Sequence, residues 1–233
     1  MTPRKYIIGT GYSPTDRYDY KAFLDIWYNR VMKLYGDVPI YILEQGADID
    51  IGQDMGWDPT ICKIGASNLG HVHTLIDDAK AGKQTHQLCG WSAGILALAM
   101  IAYNNCADLV VIEQDCLVFG DVIGQAYRDM GNDGQMVFGS CRLMGVAQSF
   151  FVIKHEFIPR FCQYYLSLWT DSHTTLRPED KFKRLEAEYG SKIIKRLSFG
   201  LDRDRPIDYD APIFYVQHLT PDELAELKRR NMI

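Results

Sequence analysis

The chain has 233 residues, of which 47% are hydrophobic and 24% charged, and this composition excludes a disordered or fibrous protein. Its 25 Lys and Arg residues against 30 Asp and Glu residues give a net charge of -5, which excludes the broad basic surface that nucleic acid requires. The longest apolar run, residues 95–102, is far shorter than the roughly 20 residues that span a bilayer. The N-terminal residues lack a secretory pattern, so we expect a cytoplasmic protein without a transmembrane segment.

The first half of the chain alternates between apolar strands and amphipathic helices. Strands are predicted over residues 5–9, 38–43, 60–64 and 109–112, and helices over residues 20–35, 72–81 and 93–104. The strand at 109–112 is apolar on both faces, which is typical of a parallel sheet covered on both sides. This alternation predicts an α/β fold.

The second half mixes strands and helices in a different order. Strands are predicted over residues 134–140 and 147–154, and helices over residues 157–169, 178–189 and 220–230. The last helix has a capping box, with Thr220 as N-cap, Pro221 in the first turn and Glu223 at the third helical position. Because no repeat, linker or low-complexity stretch divides the chain, we expect one domain over residues 1–233.

The most informative segment is ADLVVIEQDCLVFGD at residues 107–121. A fully apolar strand there runs directly into Glu113, Gln114 and Asp115. Ligands of parallel sheets bind at the carboxyl ends of the strands, and two acids in this position can hold a hard divalent cation that keeps sites free for phosphate. The alternative is a solvated strand end with two ordinary surface acids.

A strand, an ExD sequence and a second short strand resemble the DxD region of nucleotide-sugar glycosyltransferases with the GT-A fold. Two later segments agree with that order. PEDKF at residues 178–182 resembles the xED segment of this superfamily, and His218 in FYVQHLT occurs where many GT-A enzymes have a metal-ligating histidine. Glu113 replaces the first aspartate of the motif, which is a departure from the family pattern.

The resemblance implies a GT-A-like α/β fold, with a mixed, mainly parallel sheet flanked by helices. Residues 1–121 would form the half that binds the nucleotide sugar, and residues 122–233 the half that binds the acceptor. It also implies that Mn2+ or Mg2+ is bound by Glu113, Asp115 and His218, and that Asp180 or Glu179 acts as the catalytic base of an inverting reaction.

Further donor contacts are predicted from the same resemblance and from polar or glycine-rich segments. In GT-A enzymes the loop after the first strand usually contacts the nucleotide, and two arginines in a polar loop can clamp phosphates. The alternative for these arginines is local ion pairing with Asp202 and Asp204. The predicted donor contacts are Gly9, Thr10, Gly11, Tyr12, Asn68, Gln114, Arg203 and Arg205.

Two other functions compete with glycosyl transfer. Residues 90–94 read Gly-Trp-Ser-Ala-Gly, the GxSxG pattern of α/β-hydrolases, with Ser92 as nucleophile and His218 as its base. Residues 83–89, before this pattern, form a poor strand. Asp210, the nearest acid before His218, leaves little room for the helix expected between the acid and the histidine of a triad. If the chain is a transferase, Ser92 is instead the N-cap of a buried helix. The other alternative is a catalytically silent nucleotide-binding protein of the same fold.

The sequence therefore predicts a divalent-metal-assisted glycosyltransferase of polysaccharide or glycan biosynthesis. It would move a sugar from a nucleotide-diphosphate donor to a hydroxyl of a glycan or of a small-molecule acceptor.

Overall fold

The computed structural model of the protein describes residues 5–12, 20–44, 62–65, 89–142, 144–171, 177–200 and 203–233. The strands in these residues are β1 Tyr6–Tyr12, β2 Ile40–Glu44, β3 Cys62–Gly65, β4 Asp108–Ile112, β5 Cys116–Phe119, β6 Met136–Gly139, β7 Ala147–Ile153, β8 Ile194–Arg196 and β9 Phe214–Gln217. The α-helices are α1 Tyr20–Tyr35, α2 Cys89–Asn104, α3 Val122–Met130, α4 Ile158–Asp171, α5 Pro178–Ile193 and α6 Pro221–Arg229. No helix in this part of the chain is both long and apolar enough to cross a membrane.

Seven strands form one sheet in the order β3-β2-β1-β4-β7-β6-β8. Strands β1 to β4 are parallel, β7 is antiparallel to both its neighbours, and β8 is parallel to β6. The predicted mixed, mainly parallel sheet is therefore confirmed. Strands β5 and β9 form a separate antiparallel pair.

Apolar side chains cover both faces of the sheet because successive residues of a strand point to opposite sides. Ile8 and Val110 face a cluster that contains α1, α3 and the β5-β9 pair. Ile7 and Val111 face a second cluster that contains α2, α4 and α5. The sheet is thus buried between two layers, as the apolar character of β4 on both faces predicts.

Two elements of the structure were not predicted from the sequence, and two expectations differ from it. Helix α3, capped by the Asp121 side chain, and strand β8 were not predicted. The glycine-rich segment from Gly9 to Tyr12 lies inside β1 rather than after it. Helix α2 begins at Cys89, so Ser92 is within its first turn, and the N-cap prediction for Ser92 is wrong. The capping box of α6 is confirmed, whereas the helix predicted over residues 72–81 lies outside the described residues.

The order of the strands creates a topological switch point at the carboxyl ends of two central strands. From β1 the chain passes to β2 on one side, whereas the connection from β3 returns to β4 on the other side of β1. In open α/β sheets, ligands bind where the connections diverge in this way, outside the carboxyl ends of the two central strands. Here those ends belong to β1 and β4.

Candidate active site

The two acids of the ExD sequence lie in a tight turn at the carboxyl end of β4. The Glu113 N–H donates to the Ser149 carbonyl at 2.8 Å, and the Cys116 N–H donates to the Glu113 carbonyl at 2.9 Å. This turn sends the chain from the main sheet into β5. Glu113 and Asp115 are both partly buried, and they follow β4 at the switch point between the central strands.

The pairing of β5 with β9 brings the C-terminal histidine to the same turn. Cys116 faces Gln217 in the antiparallel register, so the residues after β9 lie beside the 113–115 turn. His218 has a left-handed backbone with a φ of 57°. Its Nε2 lies 3.3 Å from Asp115 Oδ2, and its side chain is 48% exposed. Two of the three predicted metal ligands are therefore in contact at an accessible position.

The third predicted ligand, Glu113, uses both carboxylate oxygens in hydrogen bonds. Trp91 Nε1 donates to Oε1 at 2.5 Å, and Gln217 Nε2 donates to Oε2 at 2.5 Å. Among the described residues, no group of three or more His, Cys, Asp or Glu side chains is arranged to hold a metal ion. Direct metal ligation by Glu113 stays a prediction, since each carboxylate oxygen has two lone pairs and can accept more than one partner.

The Asp115 carboxylate suits both Mn2+ and Mg2+, whereas the His218 imidazole suits Mn2+ better than Mg2+, which prefers oxygen ligands. These cations bind to few protein groups in nucleotide sites and take further ligands from phosphate and water. Asp115 Oδ2 and His218 Nε2 face one another at a partly exposed position. The residues present therefore fit a cation that is shared with a diphosphate.

Gln217 connects the site and was not found from the sequence. Its side chain is buried, with Nε2 donating to Glu113 Oε2 and to Asp115 Oδ1 at 2.8 Å. Its Oε1 accepts from Arg203 Nε at 3.1 Å. The only sequence signal was its position beside His218, and a lone glutamine at a strand end carries no chemistry that distinguishes it.

The candidate base Glu179 joins this network through Arg203. Its side chain is 8% exposed and lies 3.8 Å from Arg203 Nη1, and it accepts from Gln148 Nε2 at 3.4 Å. Buried carboxylates are usually paired with a positive charge, and the Arg203 guanidinium supplies it here. Arg203 therefore reaches Glu179 and Gln217, whereas Asp202, one of its two local partners in the alternative, lies outside the described residues.

Asp180, the other candidate base, has different surroundings. Arg177 donates to it from Nε at 3.0 Å and from Nη2 at 3.4 Å, and Lys183 Nζ lies 3.7 Å away. The Arg177 hydrogen bonds hold the pKa of Asp180 below its usual range. Such a carboxylate is a weaker base than one with an ordinary pKa.

Arg205 supports the backbone of the site. It forms an ion pair with Glu223 and donates from Nη2 to the Gln217 carbonyl at 3.1 Å and to the His218 carbonyl at 3.3 Å. These bonds fasten the end of β9 to α6. These contacts give Arg205 a structural role. Its contact with phosphate stays a prediction.

The predicted donor contacts in β1 are mostly occupied by packing. A Cβ at Gly9 would lie 2.7 Å from a methyl carbon of Leu98, so this glycine allows α2 to approach the sheet. Thr10 is fully buried, and its hydroxyl donates to the Gly11 carbonyl at 3.3 Å. Gln114 is partly exposed in the acidic turn. Asn68 and the side chain of Tyr12 lie outside the described part of the chain.

The surroundings of Ser92 disagree with a nucleophile elbow. Ser92 has no exposed surface, its Oγ accepts from Lys181 Nζ at 2.7 Å, and the Tyr165 hydroxyl is 3.4 Å away. Lys181 Nζ also lies 5.3 Å from the centroid of the Tyr165 ring. A hydrolytic serine must instead be exposed at a sharp turn between a strand and a helix. In this structure Ser92 joins α2, α4 and α5.

We expect no reaction of Ser92 with a fluorophosphonate probe, because the probe has no path to the buried Oγ. The measurement is intact-protein mass spectrometry of the native protein after incubation with excess probe. Heat-unfolded protein treated in the same way is the control for non-specific reaction. Stoichiometric labelling of native protein that disappears in Ser92→Ala would contradict this interpretation.

No protein-family model matches the chain, and no curated protein sequence is significantly similar to it. Several solved structures share its fold. The galactosyltransferase LgtC, in complex with donor and acceptor sugar analogues, has a TM-score of 0.56 and 12% identity, covering 92% of this chain and 87% of its own. Mouse xyloside xylosyltransferase 1 has a TM-score of 0.58 and 8% identity, covering 92% and 97%. The inositol-1-phosphate CTP transferase from T. maritima has a TM-score of 0.53 and 10% identity, covering 97% and 96%.

Identities this low establish the fold alone. The chain has the GT-A fold of the nucleotide-diphospho-sugar transferases, as the sequence resemblance predicts. Both glycosyltransferases and nucleotidyltransferases occur among the structures that share it.

Proposed function

We propose that the protein is a glycosyltransferase that moves a sugar from a nucleotide-diphosphate donor to an acceptor hydroxyl, assisted by Mn2+ or Mg2+. The observation that carries this proposal is the Asp115-His218 pair, which lies at the switch point of a GT-A fold and is joined through Gln217 and Arg203 to the buried carboxylate of Glu179. A glycan or a small molecule is the proposed acceptor, and polysaccharide or glycan biosynthesis the proposed process.

Asp115 and His218 are the proposed protein ligands of the cation. When bound, the cation supplies positive charge that stabilises the diphosphate leaving group. Arg203 is linked to Asp115 by two hydrogen bonds through Gln217, and its guanidinium adds positive charge to the same network. The chain therefore supplies an anionic ligand, a neutral ligand and a neighbouring cation.

Glu179 is the proposed base, and the proposed reaction inverts the anomeric configuration. An acceptor hydroxyl must lose its proton as it attacks the sugar, and a carboxylate within hydrogen-bond reach can take that proton. Burial limits the access of water to Glu179, while Arg203 and Gln148 fix its orientation. NMR analysis of the product anomer tests the stereochemistry, and retention of the donor's configuration would contradict inversion.

Nucleotidyl transfer is the second candidate. It is favoured by the likeness to the T. maritima inositol-1-phosphate CTP transferase, which covers 97% of this chain. The two reactions release different products, since glycosyl transfer liberates a nucleoside diphosphate and nucleotidyl transfer liberates pyrophosphate. The product released therefore distinguishes between them.

The proposed function is tested by calorimetric titration of UDP-, GDP-, CDP- and dTDP-sugars, with and without Mn2+. We expect one nucleotide sugar to bind only with the metal and to lose binding in Asp115→Asn, because this variant removes the anionic ligand and keeps the size of the side chain. The nucleotide sugar that binds is then assayed for release of its nucleoside diphosphate. Absence of binding by all four classes, or binding that is independent of both Mn2+ and Asp115, would overturn the proposal.

A further inference from the structure

Gln217 has no role in the proposed reaction, yet its side chain makes three hydrogen bonds to charged residues of the site. Its side chain is buried at the end of β9, and all of its conventional hydrogen-bonding groups face charged neighbours. The two N–H bonds of Nε2 point to the carboxylates of Glu113 and Asp115, and Oε1 accepts from Arg203. An amide has two donors on one side and an acceptor on the other, which matches this arrangement of charges.

The neighbouring charges permit only one orientation of the amide. If the amide were reversed, Oε1 would face two carboxylates and the NH2 group would face the Arg203 guanidinium, so each hydrogen bond would become a repulsive contact. Trp91 Nε1 fixes Glu113 from the other side. The amide of Gln217 is thereby held in place by partners on both sides.

This orientation divides the two oxygens of Asp115 between different partners. Oδ1 accepts from Gln217 Nε2 at 2.8 Å, whereas Oδ2 lies 3.3 Å from His218 Nε2. Without the amide, Asp115 could rotate about its terminal torsion, which is broad for a carboxylate, and the repulsion between Glu113 and Asp115 would increase.

We infer that Gln217 is a positioning residue that orients Asp115 Oδ2 toward the cation site, an inference that rests on the proposed function. It acts through Asp115 and requires no contact with the cation or the sugar. Partners of this kind, which orient a ligand without binding the metal, commonly contribute about 10- to 100-fold to metal affinity. The same range is expected here.

The experiment measures Mn2+ affinity from the electron paramagnetic resonance signal of free Mn2+, titrated with full-length protein alone and with added UDP. Gln217→Met has a similar length and no donors, and we expect its affinity to be about 10- to 100-fold weaker than that of the wild type. Gln148→Met is the matched control, because Gln148 is an equally buried glutamine that contacts Glu179 instead of Asp115. Its Mn2+ affinity should stay within about twofold of the wild-type value.

The outcomes separate this inference from the proposed function. If the wild type binds no Mn2+ with or without UDP, or if Asp115→Asn binds it unchanged, the proposed metal site fails and the inference fails with it. If Asp115→Asn loses Mn2+ but Gln217→Met keeps it within twofold, only the inference is overturned. Gln217→Asn keeps an amide that is one methylene shorter, and it serves as the second variant with the same expected loss should Gln217→Met fail to fold.

Discussion

Replacing Glu179 with glutamine is expected to slow sugar transfer by about 10²- to 10⁴-fold, the usual contribution of a general base. The substitution keeps the size of the side chain and its ability to accept from Gln148, but it removes the group that takes the proton. Donor binding should be retained, because Asp115 and His218 are unchanged. The measurement is the rate of nucleoside diphosphate release at saturating nucleotide sugar, together with calorimetric donor affinity.

Asp180→Asn is the matched control for this prediction. Asp180 is the neighbouring acid in the first turn of α5, but its carboxylate is held by Arg177, and those hydrogen bonds keep its pKa below the usual range. We expect turnover to change by no more than about threefold, because a carboxylate with a lowered pKa is a weaker base. A loss confined to Asp180→Asn would assign the base to Asp180 instead.

The main strands and helices follow from patterns that are local in the sequence. The 20–35 helix has a 3.6-residue apolar period and is observed with those bounds, and the continuous apolar run at β4 indicated burial on both faces. Helix α3 was missed because it is short and begins just after the segment that was interpreted as the acidic motif. Strand β8 has only three residues and depends on β6 for its hydrogen bonds.

The candidate site was only partly predictable, since its contacts join distant segments. The motif comparison found Asp115 and His218, which the antiparallel register of β5 and β9 brings together. Neither the Trp91-Glu113 hydrogen bond nor the bridge from Gln217 to both acids has a local signal, because the residues involved are 22 to 104 positions apart. Likewise, the GxSxG pattern is local, and only the packing of α2 against Lys181 shows that Ser92 is buried.

Gly139→Ala is expected to destabilise the protein by about 3 kcal/mol or more, the upper range for overpacking a core. Tyr215 of β9 is fully buried and inserts its ring between two glycines of neighbouring segments. A Cβ at Gly139 would overlap with the Tyr215 hydroxyl oxygen, and a Cβ at Gly200 would overlap with the Tyr215 ring. The ring also packs against Phe150 and Phe199, so it has little freedom to move away. Urea unfolding measures the change.

Gly145→Ala is the control that measures the cost of backbone strain without steric overlap. Gly145 has a φ of 72° and its Cβ would have room, with Lys183 Cε at 3.8 Å, so we expect a cost of about 1 to 2 kcal/mol from the backbone alone. In the Gly139→Ala protein, the further change Tyr215→Phe removes the overlapping oxygen and should restore part of the lost stability. Equal costs for the two glycine variants, with no recovery in the double variant, would contradict the overlap.

Gly139→Ala and Tyr215→Phe also test whether the packing of Tyr215 affects the metal site. Tyr215 and Gln217 are two residues apart on β9, so their side chains point to the same side of the strand. Displacement of the Tyr215 ring by an alanine methyl group should therefore shift Gln217 and, through it, Asp115. We expect Gly139→Ala to weaken Mn2+ binding as well as folding, and Tyr215→Phe to recover both together. Loss of stability in Gly139→Ala without loss of Mn2+ affinity would show that Gln217 is positioned by Glu113 and Arg203 rather than by the docking of β9.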